Sequence, residues 1–148
     1  MPPDPSAPAP GAVEPGQEPL DPGVVELAGR VFTFARTGDA ASLASYVDAG
    51  VPVNLTNEKG DTLLMLAAYH GHADAVRVLL ERGADVDRLN DRGQSPIAGA
   101  VFKGEEAVVR ALVEFGADPR AGHPTAVDAA VMFERPDLLA LLERPTAL

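Results

Sequence analysis

The chain has 148 residues, no cysteine and a formal net charge of −10, so disulfides and thiolate metal sites are excluded. Its twelve basic residues are scattered among twenty-two acidic ones, which argues against nucleic acid and anionic membrane surfaces as partners, since both select clustered Lys and Arg. No apolar run approaches the ~20 residues of a membrane span, and the N-terminus has no basic-then-apolar secretory signal, so the expected location is cytoplasmic.

Residues 1–23 hold eight of the fourteen prolines, acids at Asp4, Glu14, Glu18 and Asp21, and no Lys or Arg. That composition cannot bury enough apolar surface to offset its ordering entropy. A disordered, partly polyproline-II tail is expected. Its two P-x-x-P segments, Pro5-Ser6-Ala7-Pro8 and Pro19-Leu20-Asp21-Pro22, lack the flanking basic residue of recognition ligands and read as linker.

From Val24 the character changes. Gly38, Gly71 and Gly104 recur at intervals of 33, and so do Gly50, Gly83 and Gly116. Each glycine follows an amphipathic run, where a helix end favours a left-handed residue. A fixed period of this length means stacked units of two helices and an extended finger. In the first unit, about 24–56, Phe34–Asp39 falls on Ala67–His72, and Leu43, Tyr46 and Val47 line a second helix. Its opening, Val24–Val31, lacks the turn phrase of the later units.

The second unit, about 57–89, opens on Thr62 as N-cap. Its first helix is predicted over Leu63–His70. Its second is predicted over Asp74–Arg82, with Val76, Leu79 and Leu80 on one face. The third unit, about 90–121, replaces the cap by Ser95-Pro96, with proline at the first helical position. Val108, Ala111 and Leu112 repeat the apolar spacing. The fourth unit, about 122–148, is placed at an offset of 29. Ala129-Ala130 then fall on Ala67-Ala68, Leu141-Leu142 on Leu79-Leu80, and Phe133 on Gly71. Its finger shrinks to Arg120–His123.

These phrases resemble the ankyrin repeat, with its T-P-L-H, A-A-x-x-G-H and L-L-x-x-G-A-D-V-N segments. The matches run through Thr62, Leu64, Ala67, Ala68, Gly71, His72, Leu79, Leu80, Gly83, Ala84, Asp85 and Val86. They continue at Ser95, Pro96, Ile97, Ala100, Gly104, Leu112, Gly116, Ala117 and Asp118. The resemblance implies an all-α solenoid of about four helix-turn-helix units with short hairpin-like fingers. The histidine of T-P-L-H is replaced by Met65 and Ala98, so apolar packing must take its place. Gly99 interrupts a first helix at modest cost, and Asp87 stands where the repeat has Asn.

Candidate chemistry is sparse. His70 and His72 are two apart, and helix positions i and i+2 do not share a face, so they do not suggest a metal pair. His72 occupies the G-H position of the repeat, and His123 reads as a turn residue. Asp85, Asp118, Glu105 and Glu106 mark turns and helix starts. No nucleophile elbow or phosphate loop is present. No catalytic activity, cofactor or metal is expected.

A surface remains. By the resemblance, finger tips and variable first-helix positions bind partners. The finger positions include Lys59, Asp61, Arg92 and Gln94. The helix positions include Arg36 and Thr37, Tyr69 and His70, Phe102 and Lys103, and Val131 and Met132. Tyr69 and Phe102 are 33 apart and should be neighbours in adjacent units. They read either as interface anchors or as covers for the edge of their own units. The expected function is a monomeric, non-catalytic protein-binding module. The alternative is an accessory, inhibitory or chaperone-like factor for one specific enzyme.

Overall fold

The computed structural model describes residues 22–143. The expected disorder of the tail therefore lies outside the described residues, except for Pro22 and Gly23. Those two open a helix instead, a correction of the boundary by two residues. Proline costs little at a helix start, where its missing amide would have had no partner. This helix, α1 (Pro22–Thr37), has 16 residues, of which those up to Arg30 belong to one compact unit and those from Val31 to a second. In the first unit, Glu26 and Arg30 form an i,i+4 ion pair on the surface.

The second unit is a two-layer stack. Alternate helices α3 (Leu63–Tyr69), α5 (Pro96–Lys103) and α7 (Ala126–Met132) pack side by side. Behind them run α2 (Ala40–Asp48), α4 (Ala73–Glu81), α6 (Glu106–Glu114) and α8 (Pro136–Leu142). Each helix is only 7–9 residues, too short to persist alone in water. Stability comes from apolar faces buried between neighbours. Leu63, Ala67, Val76, Leu79, Ile97, Ala100, Val108, Leu112 and Leu138 are fully buried. The alanines of this set let the layers approach closely. Met65 and Ala98 are buried as expected of residues replacing the pattern histidine.

Side-chain caps start the front helices. Thr62 Oγ1 accepts from Met65 N–H, Ser95 Oγ from Ala98 N–H and Thr125 Oγ1 from Asp128 N–H. The back helices α4, α6 and α8 begin at His72, Glu105 and Arg135 and have no side-chain cap bond. Those three side chains instead lie against the turn of the preceding unit. A Cβ added at Gly38 would meet the His72 ring, one at Gly71 the Glu105 carboxylate, and one at Gly104 the Arg135 guanidinium. His72 Nε2 also makes a 2.7 Å hydrogen bond with Arg36 O. Asp39 occupies the same position in the first repeat. Its carboxylate caps its own helix, accepting from Ser42 N–H and Oγ–H.

The caps also correct the register of the fourth unit. Thr62 and Ser95 are 33 apart, but Ser95 and Thr125 are 30 apart. The helix-end bonds agree: His72 N–H reaches Ala67 O, Glu105 N–H reaches Ala100 O and Arg135 N–H reaches Ala130 O. The offset is therefore 30, not 29. Glu134, not Phe133, stands at the left-handed glycine position, with φ 54°. Phe133 has an ordinary φ of −91°. Equivalent positions along the front are therefore Tyr69, Phe102 and Met132, then His70, Lys103 and Phe133.

Candidate functional site

The fingers before α3 and α5 are built alike from one asparagine each. Asn57 Oδ1 accepts from Lys59 and Asp61 N–H, and Asn90 Oδ1 from Arg92 and Gln94 N–H. Each is the local bond by which Asn substitutes for backbone in a turn. Instead of strands, the described residues show a single antiparallel bridge, Thr56 with Thr62. Adjacent fingers are tied together. Asp91 N–H donates to Lys59 O, and Asn90 Nδ2 donates to Asp61 Oδ1 at 2.9 Å and to Gln94 Oε1 at 2.8 Å.

Between fingers and front helices lie two clefts that share Met65, Tyr69 and Gln94. The first has a volume of about 330 Å³. It brings together six predicted residues: Lys59, Asp61, Tyr69, His70, Arg92 and Gln94. The second, about 350 Å³, is mainly apolar and lies among Ala98, Gly99, Phe102, Met132 and Phe133. Lys103 joins the group through its ammonium, 5.0 Å from the Tyr69 ring centroid, within cation–π range. All nine predicted residues thus fall on one side of the stack. The side chains of Asp61 and Gln94 both accept from Asn90 there.

The front row is exposed: Tyr69 at 41%, Phe102 at 57% and Met132 at 67%. Phe133 packs edge-on to Phe102 at 5.3 Å. Sequence reasoning placed Phe133 at a turn, because the last unit was misaligned by one residue. Asn90, Ala98 and Gly99 were not predicted as lining residues. The signal for two of them lay in the departures from the repeat pattern at Ala98 and Gly99.

The ion pairs lie away from the clefts. Among the described residues, Arg30, Arg77, Arg82, Arg110 and Arg135 are ion-paired. Arg77 and Arg82 reach to Glu114 and Asp48 across back helices. Arg36, Lys59, Arg92 and Lys103, on or beside the front clefts, form no ion pair among the described residues, and neither do Arg88 and Arg120, which line neither cleft. His70 sits among the front cations. Partial burial, and then the charges of His72, Arg36 and Lys103, hold its pKa below the ordinary histidine value. His70 and His72 rings lie 6.4 Å apart, and no three metal-binding side chains cluster among the described residues.

A family model for ankyrin repeats, in three copies, matches residues 32–123. The chain belongs to the ankyrin repeat family. The fourth helix pair, α7 and α8, lies beyond that match. A putative ankyrin repeat protein of Pseudomonas aeruginosa, PA3287, is 49% identical over 59 residues, covering 40% of this chain and 34% of that protein. Human ankyrin repeat domain-containing protein 29 is 46% identical over 55 residues, covering 36% of this chain and 18% of that protein. The crystal structure of the human ASB11 ankyrin repeat domain superposes with a TM-score of 0.69 at 28% identity, over 76% of this chain and 52% of that one. The matched part of the chain thus spans from under a fifth to about half of these relatives.

Ankyrin repeats generally serve as protein–protein interaction modules and are typically non-catalytic. No helix among the described residues is long and apolar enough to cross a membrane.

Proposed function

We propose that this ankyrin stack is a non-catalytic module that binds a partner protein along its front helices and fingers, across units two to four. The observation that carries the reading is the exposed row Tyr69, Phe102 and Met132 at equivalent unit positions, standing over two joined clefts. Half-exposed aromatics beside a cleft are the side chains that anchor interfaces, because they add large contact area for little lost entropy.

The test is affinity capture with the full chain and with Tyr69→Ala/Phe102→Ala. The double variant is expected to lose its partner while melting within a few degrees of the parent, since both rings are about half exposed and lie outside the core. Retained binding with a sharp fall in melting temperature would show that the rings serve only to cover their own units. Recovery of one enzyme in fixed stoichiometry would narrow the module to an accessory factor for that enzyme.

A further inference from the structure

Resting on that reading, we infer that the partner presents an extended acidic segment carrying one apolar side chain. Its carboxylates would lie against Lys59, His70, Arg92 and Lys103. Its apolar residue would enter the cleft beside Ala98, Phe102 and Met132.

The charge layout favours this chemistry. A chain of net charge −10 has enough carboxylates to neutralise every cation on it. The back helices do so, but the front face does not. Glu58 and Asp91 stand on the same fingers as Lys59 and Arg92, yet the polar cleft takes in the two cations and neither acid. The one carboxylate lining it, Asp61, already accepts from Asn90. These cationic side chains are exposed, so each offers an incoming carboxylate a surface ion pair, and several of one sign on one cleft set the sign of the ligand. Nucleic acid has the same sign of charge but carries it on every residue over a long backbone, so it meets far more of the chain's net negative charge than a short segment confined to the cleft does.

The geometry adds a spacing. The polar cleft lies between units two and three and the apolar one between units three and four. Packed neighbouring helices are ~8–10 Å apart, and an extended peptide advances ~3.3 Å per residue. The acidic and apolar residues of the ligand should therefore be about three positions apart.

The test starts from a phage-displayed library of random dodecapeptides selected on the full chain. The selected peptides are then synthesised with a fluorescein label and titrated by polarisation. Enrichment of Asp or Glu about three positions from a large apolar residue is expected. Lys59→Glu/Arg92→Glu should weaken these peptides at least tenfold, because each exposed pair is worth roughly two- to fivefold and reversal adds repulsion. Replacing the peptide acids by amides should remove most of that sensitivity. Neutral or basic peptides that still require Tyr69 and Phe102 would overturn the acidic proposal and leave the binding face standing. Peptides indifferent to Tyr69→Ala/Phe102→Ala, or no binders, would overturn both. A labelled dT20 oligonucleotide is the third arm. Binding that the Lys59→Glu/Arg92→Glu pair abolishes would assign these cations to nucleic acid instead.

Discussion

Replacing the exposed Glu134 by glycine should stabilise the protein. Glu134 is the one non-glycine residue with positive φ among those described, at 54°. It occupies the position that Gly71 and Gly104 fill in the preceding units. A left-handed conformation costs a side-chain-bearing residue ~1–2 kcal/mol. Glycine avoids that cost but gives up ~0.5–1 kcal/mol of additional chain entropy on folding. The difference favours Glu134→Gly by roughly 0.5–1 kcal/mol, or about 2–3 °C in melting temperature for a chain of this size. The Glu134 side chain takes part in no ion pair among the described residues, so little is lost with it. Glu134→Ala is the control, because it keeps the strain and removes the same carboxylate. Urea and thermal melts followed by far-UV circular dichroism would rank the three proteins. Equal stabilities for the glycine and alanine variants would refute the strain argument.

Ser95→Ala should cost about 1–2 kcal/mol in a urea melt, because Ser95 is fully buried and its hydroxyl satisfies the Ala98 amide at the start of α5; a change below 0.5 kcal/mol, on the order of a surface substitution, would contradict the cap. Asp87→Asn should stabilise by on the order of 0.5 kcal/mol at neutral pH. Burial, and to a lesser extent the nearby Asp118 and Asp85, raise the Asp87 pKa, although the Asp118 amide bond opposes the rise. A raised folded pKa means the native state holds the proton more tightly, so the ionised form penalises folding fully above that pKa. The advantage of Asn should therefore shrink as pH falls toward the ordinary aspartate value and vanish below it. An advantage independent of pH would point to a cause other than ionisation.

The period of 33 made the stack, the caps at Thr62 and Ser95 and the front positions legible in the sequence. Those signals are local: a cap needs its own helix start, and a presented position needs only the phase of the repeat. The last unit was misread because Ala129-Ala130 matches the Ala-Ala phrase at an offset of 29, whereas the structure seats Ala130 alone in the place of Ala67 and Ala100. Glu134 hid the true register, since a glutamate at a left-handed turn carries no sequence signal. The tie from Asn90 to Asp61 and Gln94 was equally hidden, being a contact between fingers 29 residues apart in the case of Asp61. The placement of the ion pairs required knowing which arginines face carboxylates across units, such as Arg77 with Glu114 and Arg82 with Asp48.

The departures from the repeat pattern converge on the clefts. Met65 lines both, and Ala98 and Gly99 line the apolar one. Gly99 tests whether that convergence has a functional basis. It lies within α5, where glycine costs ~0.5–1 kcal/mol relative to alanine. Its backbone does not require glycine, for its φ is not positive. A Cβ placed there would meet only Tyr69 Cδ2, at 3.8 Å, an ordinary van der Waals contact. Gly99→Ala should therefore raise the melting temperature by about 2–3 °C. The same methyl would enter the apolar cleft beside Tyr69 and Phe102 and should weaken whatever side chain docks there. Differential scanning fluorimetry and the peptide titrations separate the two effects. Stabilisation together with weaker binding would mean that the glycine keeps the cleft open at the expense of its helix. Stabilisation with unchanged binding would remove Gly99 from the site. Destabilisation would show that the space beside Tyr69 is already needed by the fold.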